Sequence, residues 1–240
     1  MPRPFVSARW ANLVLLTFEA PETVVRVHIH PALEPDRWND RTHVNLVALS
    51  FEDVRVRGWR VPGLNAFPQV NLRTFVRLDR VPGVLFIREL VPNRLVAAVS
   101  RLRYNQPYGT LPIQVRTITA PGEVRVEYCL GRGARWRIAV AGSEAVTVPS
   151  PTSLEHYCKE RFWGFGSTRR GALLRFRVEH PTWAVRALRS LEYNLDFEEL
   201  YGPEWRFLNE SKPVSVIFAV GSEVAVYEPM ANHSRGGRTP

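Results

Sequence analysis

Short alternations of apolar and polar residues with a period of two recur along this chain, separated by turn signals built from proline and glycine. Successive side chains of a strand point to opposite faces, so this period is typical of β-strands. The predicted strands are Leu13–Phe18, Val44–Val56, Val70–Leu78, Val84–Leu90, Ile113–Thr119, Val124–Leu130, Ala134–Ala141, Ala172–Glu179, Val214–Val220 and Val224–Tyr227. Many short strands with short connections favour a mainly β (α+β) fold, an antiparallel curled sheet or barrel, over alternating strand–helix units.

Helical signals are few. Residues Asn93–Arg103 follow Pro92 and carry apolar side chains at helical spacing, which predicts a helix. A second helix is predicted over Leu154–Arg161, because Ser153 is a good N-cap and an acidic residue follows in the first turn. Short helices are also expected within Pro21–Val27 and Phe197–Tyr201.

The chain has 240 residues and shows no internal repeat or linker, so one domain over residues 1–230 is predicted. The polar, aperiodic segment Ala231–Pro240 is predicted to be a disordered tail. No apolar stretch approaches the roughly 20 residues of a membrane span, and the N-terminus lacks the features of a signal peptide. Cys129 and Cys158 form no ligand pattern and no disulfide framework, which predicts reduced thiols and a cytoplasmic protein.

The net charge is +9, and of the 32 basic residues only Lys159 and Lys212 are lysines. Much of the arginine occurs as Arg-x-Arg, at Arg55/Arg57, Arg101/Arg103, Arg135/Arg137 and Arg175/Arg177. In three of these pairs the neighbouring residues are apolar, so on a strand the arginines would share one face. A nucleic-acid or polyanion-binding face is one interpretation of this charge. A solvated sheet face is favoured over it, because no helix-turn-helix, zinc-finger, RNP or KH signature is present.

Four segments in chain order resemble one bacterial family. They are Trp10–Leu13 with Leu46–Phe51, then Phe67–Val76, then Pro82–Phe86 with Ala98–Arg101 and Pro107-Tyr108, and finally Ser153–Glu155 with Glu160–Phe162. The second, F-P-Q-V-N-L-R-T-F-V, resembles the family pattern F-x-E-x-N-x-R-T-Y-V and is the most specific. The family is the YqjF-like family, known as domain of unknown function 2071, and the resemblance covers most of residues 10–228.

This family is similar in fold to acetoacetate decarboxylase. The resemblance therefore implies a mostly antiparallel, cone-like β barrel with a few flanking helices. Acetoacetate decarboxylase uses a lysine that forms a Schiff base, and its pKa is lowered by a neighbouring cation. Lys159 lies in a predicted helix and Lys212 in a predicted loop, while the arginines cannot act as such nucleophiles. Lysine Schiff-base chemistry is therefore not expected, although the scaffold is shared.

The strand from Gln69 to Val76 has a polar face formed by Gln69, Asn71 and Arg73. If this face points into a lumen, it offers two amides and a guanidinium fork that suit a carboxylate or phosphate. If it points outward, these are ordinary surface residues. Gln69 stands where the family has glutamate, and an amide cannot exchange a proton.

Three further candidate ligand-binding residues lie in the matching segments: Arg101, Tyr108 and Arg161. Arg101 is equally well explained as a cation at a helix end, favoured by the helix dipole. Tyr108 is alternatively a turn aromatic that covers the core. For Arg161, an ion pair with Glu155 or Glu160 is the favoured interpretation over a ligand contact.

His28 and His30 would share one face of a strand, a spacing used by some metal sites, with His43 or Glu34 as further ligands. Unpaired strand histidines are the favoured interpretation. Gly131–Gly133 lacks the remaining features of a phosphate-binding loop, and Trp163–Gly166 is interpreted as a glycine-rich turn or corner. Neither a metal nor a cofactor is predicted.

The sequence thus leaves three functional hypotheses. The first is a small-molecule-binding protein that accepts an organic acid or another anionic ligand through Arg73, Gln69 and Asn71. The second is a nucleic-acid or polyanion-binding module, and the third is a structural role without chemistry. Neither the reaction nor the oligomeric state follows from the sequence.

Overall fold

The computed structural model describes residues 3–168 and 170–231. Its strands are β1 (Val6–Glu19), β2 (Glu34–Pro35), β3 (His43–Val56), β4 (Trp59–Arg60), β5 (Phe67–Leu78), β6 (Val81–Val91), β7 (Tyr108–Thr110), β8 (Ile113–Ala120), β9 (Glu123–Leu130), β10 (Trp136–Thr147), β11 (Trp163–Ser167), β12 (Leu173–Glu179), β13 (Val185–Asn194), β14 (Ser215–Val226) and β15 (Met230–Ala231). The helices are α1 (Glu22–Arg26), α2 (Arg94–Tyr104), α3 (Leu154–Lys159) and α4 (Phe197–Tyr201), with 3₁₀ turns at Arg132–Ala134 and Pro203–Asn209.

The strands form one curled sheet, in the order β15-β12-β11-β6-β5-β3-β1-β14-β13-β10-β9-β8. Strand β12 also pairs with β14, which closes a ring of pairings from β12 through β11, β6, β5, β3 and β1 back to β14. Most neighbours are antiparallel, while β6 pairs in parallel with β11 and β7. The predicted mainly β, curled antiparallel architecture is confirmed.

Both faces of the sheet are buried around β5. Val70, Leu72 and Val76 of this strand belong to the largest core, which also contains the fully buried Trp205. Phe75 belongs to a second apolar cluster on the opposite face of the sheet. Strand β5 thus packs against a different apolar cluster on each of its two faces.

Helix α2 begins and ends where short-range signals place it. The side chain of Asn93 accepts hydrogen bonds from the backbone N–H groups of Leu95 (2.8 Å) and Val96 (3.4 Å). Asn105 ends the helix in the left-handed conformation, with φ of 49°. The predicted helix is confirmed with both ends moved by one residue. The helix after Ser153 and the two short helices are likewise present.

Removal of this cap gives a first testable prediction. Asn93→Ala is expected to lower the free energy of unfolding by about 1 kcal/mol, because two N–H groups of the first turn lose their acceptor. Asn93→Asp is the matched control, since it keeps the acceptor oxygen and loses only the amide donor to the Gly63 carbonyl. Urea unfolding of both variants measures the difference, and equal stability of the two would contradict the capping role.

Several predicted boundaries are wrong for identifiable reasons. Trp163–Gly166 is not a turn but part of strand β11, where a Cβ on Gly164 would lie 2.2 Å from the ring of Phe176. Glycine is used there for close packing within a strand. Val214–Val220 and Val224–Tyr227 are not separate strands, because β14 continues through Gly221. Strand β13 was not predicted from the sequence at all.

The chain ends of the structure bear on two further predictions. Ala231, which begins the predicted disordered tail, lies in β15 and pairs with Leu174, so the tail cannot begin there. The rest of that predicted tail, residues 232–240, lies outside the described residues. The single domain over residues 1–230 stays a prediction. Among the described helices none is long and apolar enough to cross a membrane.

Candidate functional site

A cavity of about 160 Å³ lies on the inner face of the curled sheet. Its walls are mostly apolar and include Trp10, Leu49, Phe51, Phe86 and Trp183. Against this apolar background, polar side chains come from β5, β6 and the segment between α2 and β7. A few polar groups in an apolar cleft are typical of small-molecule sites.

The polar face of β5 is turned towards this cavity. Gln69, Asn71 and Arg73 all line it and are 3%, 2% and 8% exposed, respectively. Alternation along the strand places them on one face, and the intervening residues belong to the large core on the other. Of the two orientations that the sequence left open, the structure therefore has the inward one.

Glu89 on β6 also lines the cavity and was not identified from the sequence. It pairs with Asn71 across the β5–β6 ladder, and Gln69 Nε2 donates a 2.6 Å hydrogen bond to Glu89 Oε2. Tyr108 makes a second hydrogen bond to the same carboxyl. Burial raises the pKa of Glu89 to about 8, although these donors and Arg73 act in the opposite direction. The carboxyl group is thus mainly protonated at neutral pH.

The sequence carried one signal for Glu89. It is an acidic residue inside the apolar strand Val84–Leu90, where a charge needs a special environment. The cross-strand partner could not be derived, because the β5–β6 register shifts between Leu72 and Arg73. That irregularity decides which residues of the two strands face each other.

Arg73 is a buried cation without a carboxylate partner among the described residues. Its Nη2 donates to the carbonyl oxygen of Cys158 at 3.1 Å, while its Nε is buried without a hydrogen-bond acceptor. Burial lowers the pKa of Arg73 to about 10, so the guanidinium stays charged at neutral pH. Gln69 Oε1 and Asn71 Oδ1 are likewise buried without partners. Such groups are uncommon in folded proteins.

Of the other three predicted site residues, Tyr108 lies at the cavity, whereas Arg101 and Arg161 do not. Tyr108 lines the cavity beside Glu89. Arg101 is exposed on α2 and its Nε donates to the carbonyl oxygen of Tyr108 at 2.7 Å, which ties the helix to β7. Arg101 and Arg161 are not among the cavity-lining residues.

Arg161 has a partner that the sequence did not reveal. Its Nη1 contacts Asp36 Oδ2 at 2.7 Å, and its guanidinium lies 3.9 Å from the centre of the Tyr157 ring. The expected ion pair with Glu155 or Glu160 is therefore wrong. Glu160 instead pairs with Lys159, and Glu155 accepts a hydrogen bond from Ser215.

The two lysines lie away from the cavity wall. Lys159 ends α3 with a fully buried side chain that pairs with Glu160, and Lys212 is exposed in a loop. Neither is among the described residues that line the cavity. The absence of lysine Schiff-base chemistry stays a prediction, and this geometry is consistent with it.

The histidines do not share a strand face as expected, since His28 and His30 lie in the turn after α1. The His28 ring packs on Trp205 and lies 3.3 Å from Glu204, and burial lowers its pKa. His30 Nε2 interacts with the carbonyl oxygen of Gly171. Within the described residues, no cluster of three or more histidine, cysteine or acidic side chains could hold a metal.

The arginines on strands are largely paired with carboxylates. Arg137 contacts both Glu127 and Glu192, and Arg177 contacts Glu179. Arg55, Arg57, Arg60 and Arg77 also have acidic partners on the surface. Such pairing reduces the positive field of these faces, and no observation supports the nucleic-acid hypothesis.

A family model described as an uncharacterized conserved protein, domain of unknown function 2071, matches residues 7–223. The chain belongs to this family. A relative from Bacillus subtilis (strain 168), the uncharacterized protein YqjF, is 27% identical over 182 residues, which cover 74% of this chain and 73% of the relative. The resemblance identified in the four sequence segments is thus confirmed.

Two solved structures are similar in fold to this member of the family. The enduracididine biosynthesis enzyme MppR complexed with pyruvate has a TM-score of 0.64 at 14% identity, covering 96% of this chain and 91% of that one. Acetoacetate decarboxylase from Legionella pneumophila has a TM-score of 0.62 at 12% identity, covering 97% and 88%. The acetoacetate decarboxylase-like fold is therefore confirmed.

Proposed function

We propose that this protein binds a small organic acid in the cavity, with Arg73 contacting the carboxylate and Asn71 and Gln69 orienting it. The observation that carries the proposal is the buried Arg73 guanidinium, which has no carboxylate partner among the described residues and has one N–H group unpaired. Its planar fork of donors matches the two oxygens of a carboxylate.

The charge balance of the cavity supports an anionic ligand. Glu89 is mainly neutral at pH 7 and Gln69 and Asn71 carry no charge, so Arg73 leaves the cavity wall positive. Removing an unpaired charge from water costs several kcal/mol. A bound carboxylate offsets this cost and supplies the missing acceptor for Arg73 Nε.

The size and walls of the cavity narrow the class of acid. Its volume of about 160 Å³ is similar to the roughly 150 Å³ of a cavity that binds benzene, so it suits a small ligand. The apolar walls favour a short hydrocarbon part beside the carboxylate. Short 2-oxo acids meet both conditions, and the similar fold of MppR, solved with pyruvate, supports this class.

The experiment is a thermal-shift and calorimetric titration of the full chain with pyruvate and 2-oxobutanoate. A ligand at 100 times its Kd stabilises the wild type by about 2.7 kcal/mol. Arg73→Met is expected to weaken binding about 100-fold, because the fork of donors is lost. Arg137→Met is the matched control, as this arginine pairs with Glu127 and Glu192 on the surface and does not line the cavity. Equal responses of wild type and Arg73→Met would reject the proposal.

A further inference from the structure

Glu89 differs from every other side chain at the cavity wall. Among the described residues that line it, Glu89 is the only carboxyl group and Arg73 the only cation, and no lysine or histidine is present. Proton transfer to or from a ligand at this site therefore has one candidate carboxyl group. The phenol of Tyr108 is not an alternative, because burial and the neighbouring Glu89 raise its pKa well above the ordinary value.

The sheet places this carboxyl group next to the proposed ligand contacts. Glu89 lies directly across the β5–β6 ladder from Asn71, and Gln69 and Arg73 are the same-face neighbours of Asn71 along β5. Opposed residues of such a ladder have Cβ atoms about 5 Å apart, and diagonal neighbours about 7 to 8 Å. A short acid on Arg73 thus has its next atoms within reach of Glu89.

We infer that Glu89 is a catalytic residue that removes and returns a proton at the carbon next to the ketone of a 2-oxo acid held by Arg73. The inference rests on the proposed function. The Glu89 carboxylate takes the proton, the C–H electron pair becomes the C=C bond of an enolate, and the carbonyl π pair moves onto oxygen. The reverse step restores the 2-oxo acid, so no oxidant or second reactant is needed.

The surroundings of Glu89 suit this role. Gln69 and Tyr108 hold the carboxyl group by hydrogen bonds, and Ser100 in turn hydrogen-bonds Tyr108. A general base works best when its pKa lies near the working pH, and burial brings that of Glu89 to about 8. The positive charge of Arg73 stabilises the developing enolate oxygen.

The residue at position 69 decides whether Glu89 titrates singly or as one of a pair of carboxyl groups. Gln69 Nε2 lies 2.6 Å from Glu89 Oε2, so a glutamate at position 69 would bring two carboxyl groups together. Two such groups share one proton and titrate as a pair. With an amide at position 69, Glu89 titrates singly and Gln69 orients it.

The test follows the methyl signal of pyruvate by proton NMR in D₂O, where each cycle replaces hydrogen by deuterium. The full-length wild type is expected to accelerate this loss over buffer alone. Glu89→Gln is expected to slow the catalysed exchange at least about 100-fold while still binding pyruvate in calorimetry. Glu89→Asp keeps a carboxyl group and is expected to restore part of the rate. Glu34→Gln, at an exposed carboxylate paired with Arg77, serves as control and should exchange at the wild-type rate.

The outcomes separate this inference from the proposed function. Pyruvate binding without exchange, or equal exchange by wild type and Glu89→Gln, overturns the catalytic role and leaves the binding proposal standing. Absence of pyruvate binding by the wild type overturns both. A rate that rises with pH and levels off near pH 8 in the wild type, with Arg73 and Tyr108 as the ionisable neighbours of Glu89, supports the assignment.

Discussion

Between about pH 4.5 and pH 8.5, the wild-type protein is expected to lose about 4 kcal/mol of unfolding free energy that Glu89→Gln retains. Burial raises the pKa of Glu89 from 4.5 to about 8 in the folded chain, so the folded state holds a proton that the unfolded state has released. Stability therefore falls as pH rises through this window. Below about pH 4.5 the carboxyl group is protonated in both states and its effect on stability vanishes.

Urea unfolding at a series of pH values measures this difference. The ionisation of His28, His43 and His180, whose pKa values burial lowers, also changes stability with pH. These histidines titrate equally in both proteins, so the difference between wild type and Glu89→Gln isolates Glu89. Glu34→Gln, at an exposed carboxylate, should follow the wild-type curve. Parallel curves for wild type and Glu89→Gln would show that Glu89 ionises as an ordinary surface acid.

The polar face of β5 shows how far local sequence could lead. Alternation placed Gln69, Asn71 and Arg73 on one face, and the family motif marked the same residues. It could not decide which face is interior, because Val70 and Leu72 are buried as well. Both faces of β5 are buried in a ring of strands, and the β12–β14 pairing that closes this ring joins distant parts of the chain.

The residues that sequence reasoning missed or misassigned depend on such distant contacts. Glu89 gains its role from a cross-strand register, and Arg161 pairs with Asp36, which is 125 residues away. The sequence favoured neighbours such as Glu160 because short-range pairs are the only ones that spacing can reveal. The helix caps, in contrast, depend on contacts that are local in the sequence. Asn93 and Ser153 act on backbone N–H groups two or three residues away, so local sequence sufficed.

Gly221 is the site of the second large effect. It has φ of +92°, a conformation that L side chains rarely adopt, and a Cβ there would lie 2.0 Å from the backbone oxygen of Trp10. That oxygen belongs to β1, which pairs with β14 and is irregular after Ala11. Gly221→Ala is therefore expected to destabilise the fold by about 4 kcal/mol, combining left-handed strain with overpacking against backbone.

Gly58→Ala is the matched control for this prediction. Gly58 has a similar φ of +87°, but nothing lies within 4 Å of its added Cβ, so only the conformational cost of about 1 kcal/mol applies. Urea unfolding of both variants separates the close approach from the backbone strain. Relief of the clash requires Trp10 to move, and its ring contacts Trp183 and Phe51 at the cavity wall. Gly221→Ala should therefore also weaken pyruvate binding, whereas Gly58→Ala should bind pyruvate as the wild type does. Equal loss of unfolding free energy in the two variants would rule out a β1–β14 contact that only glycine permits.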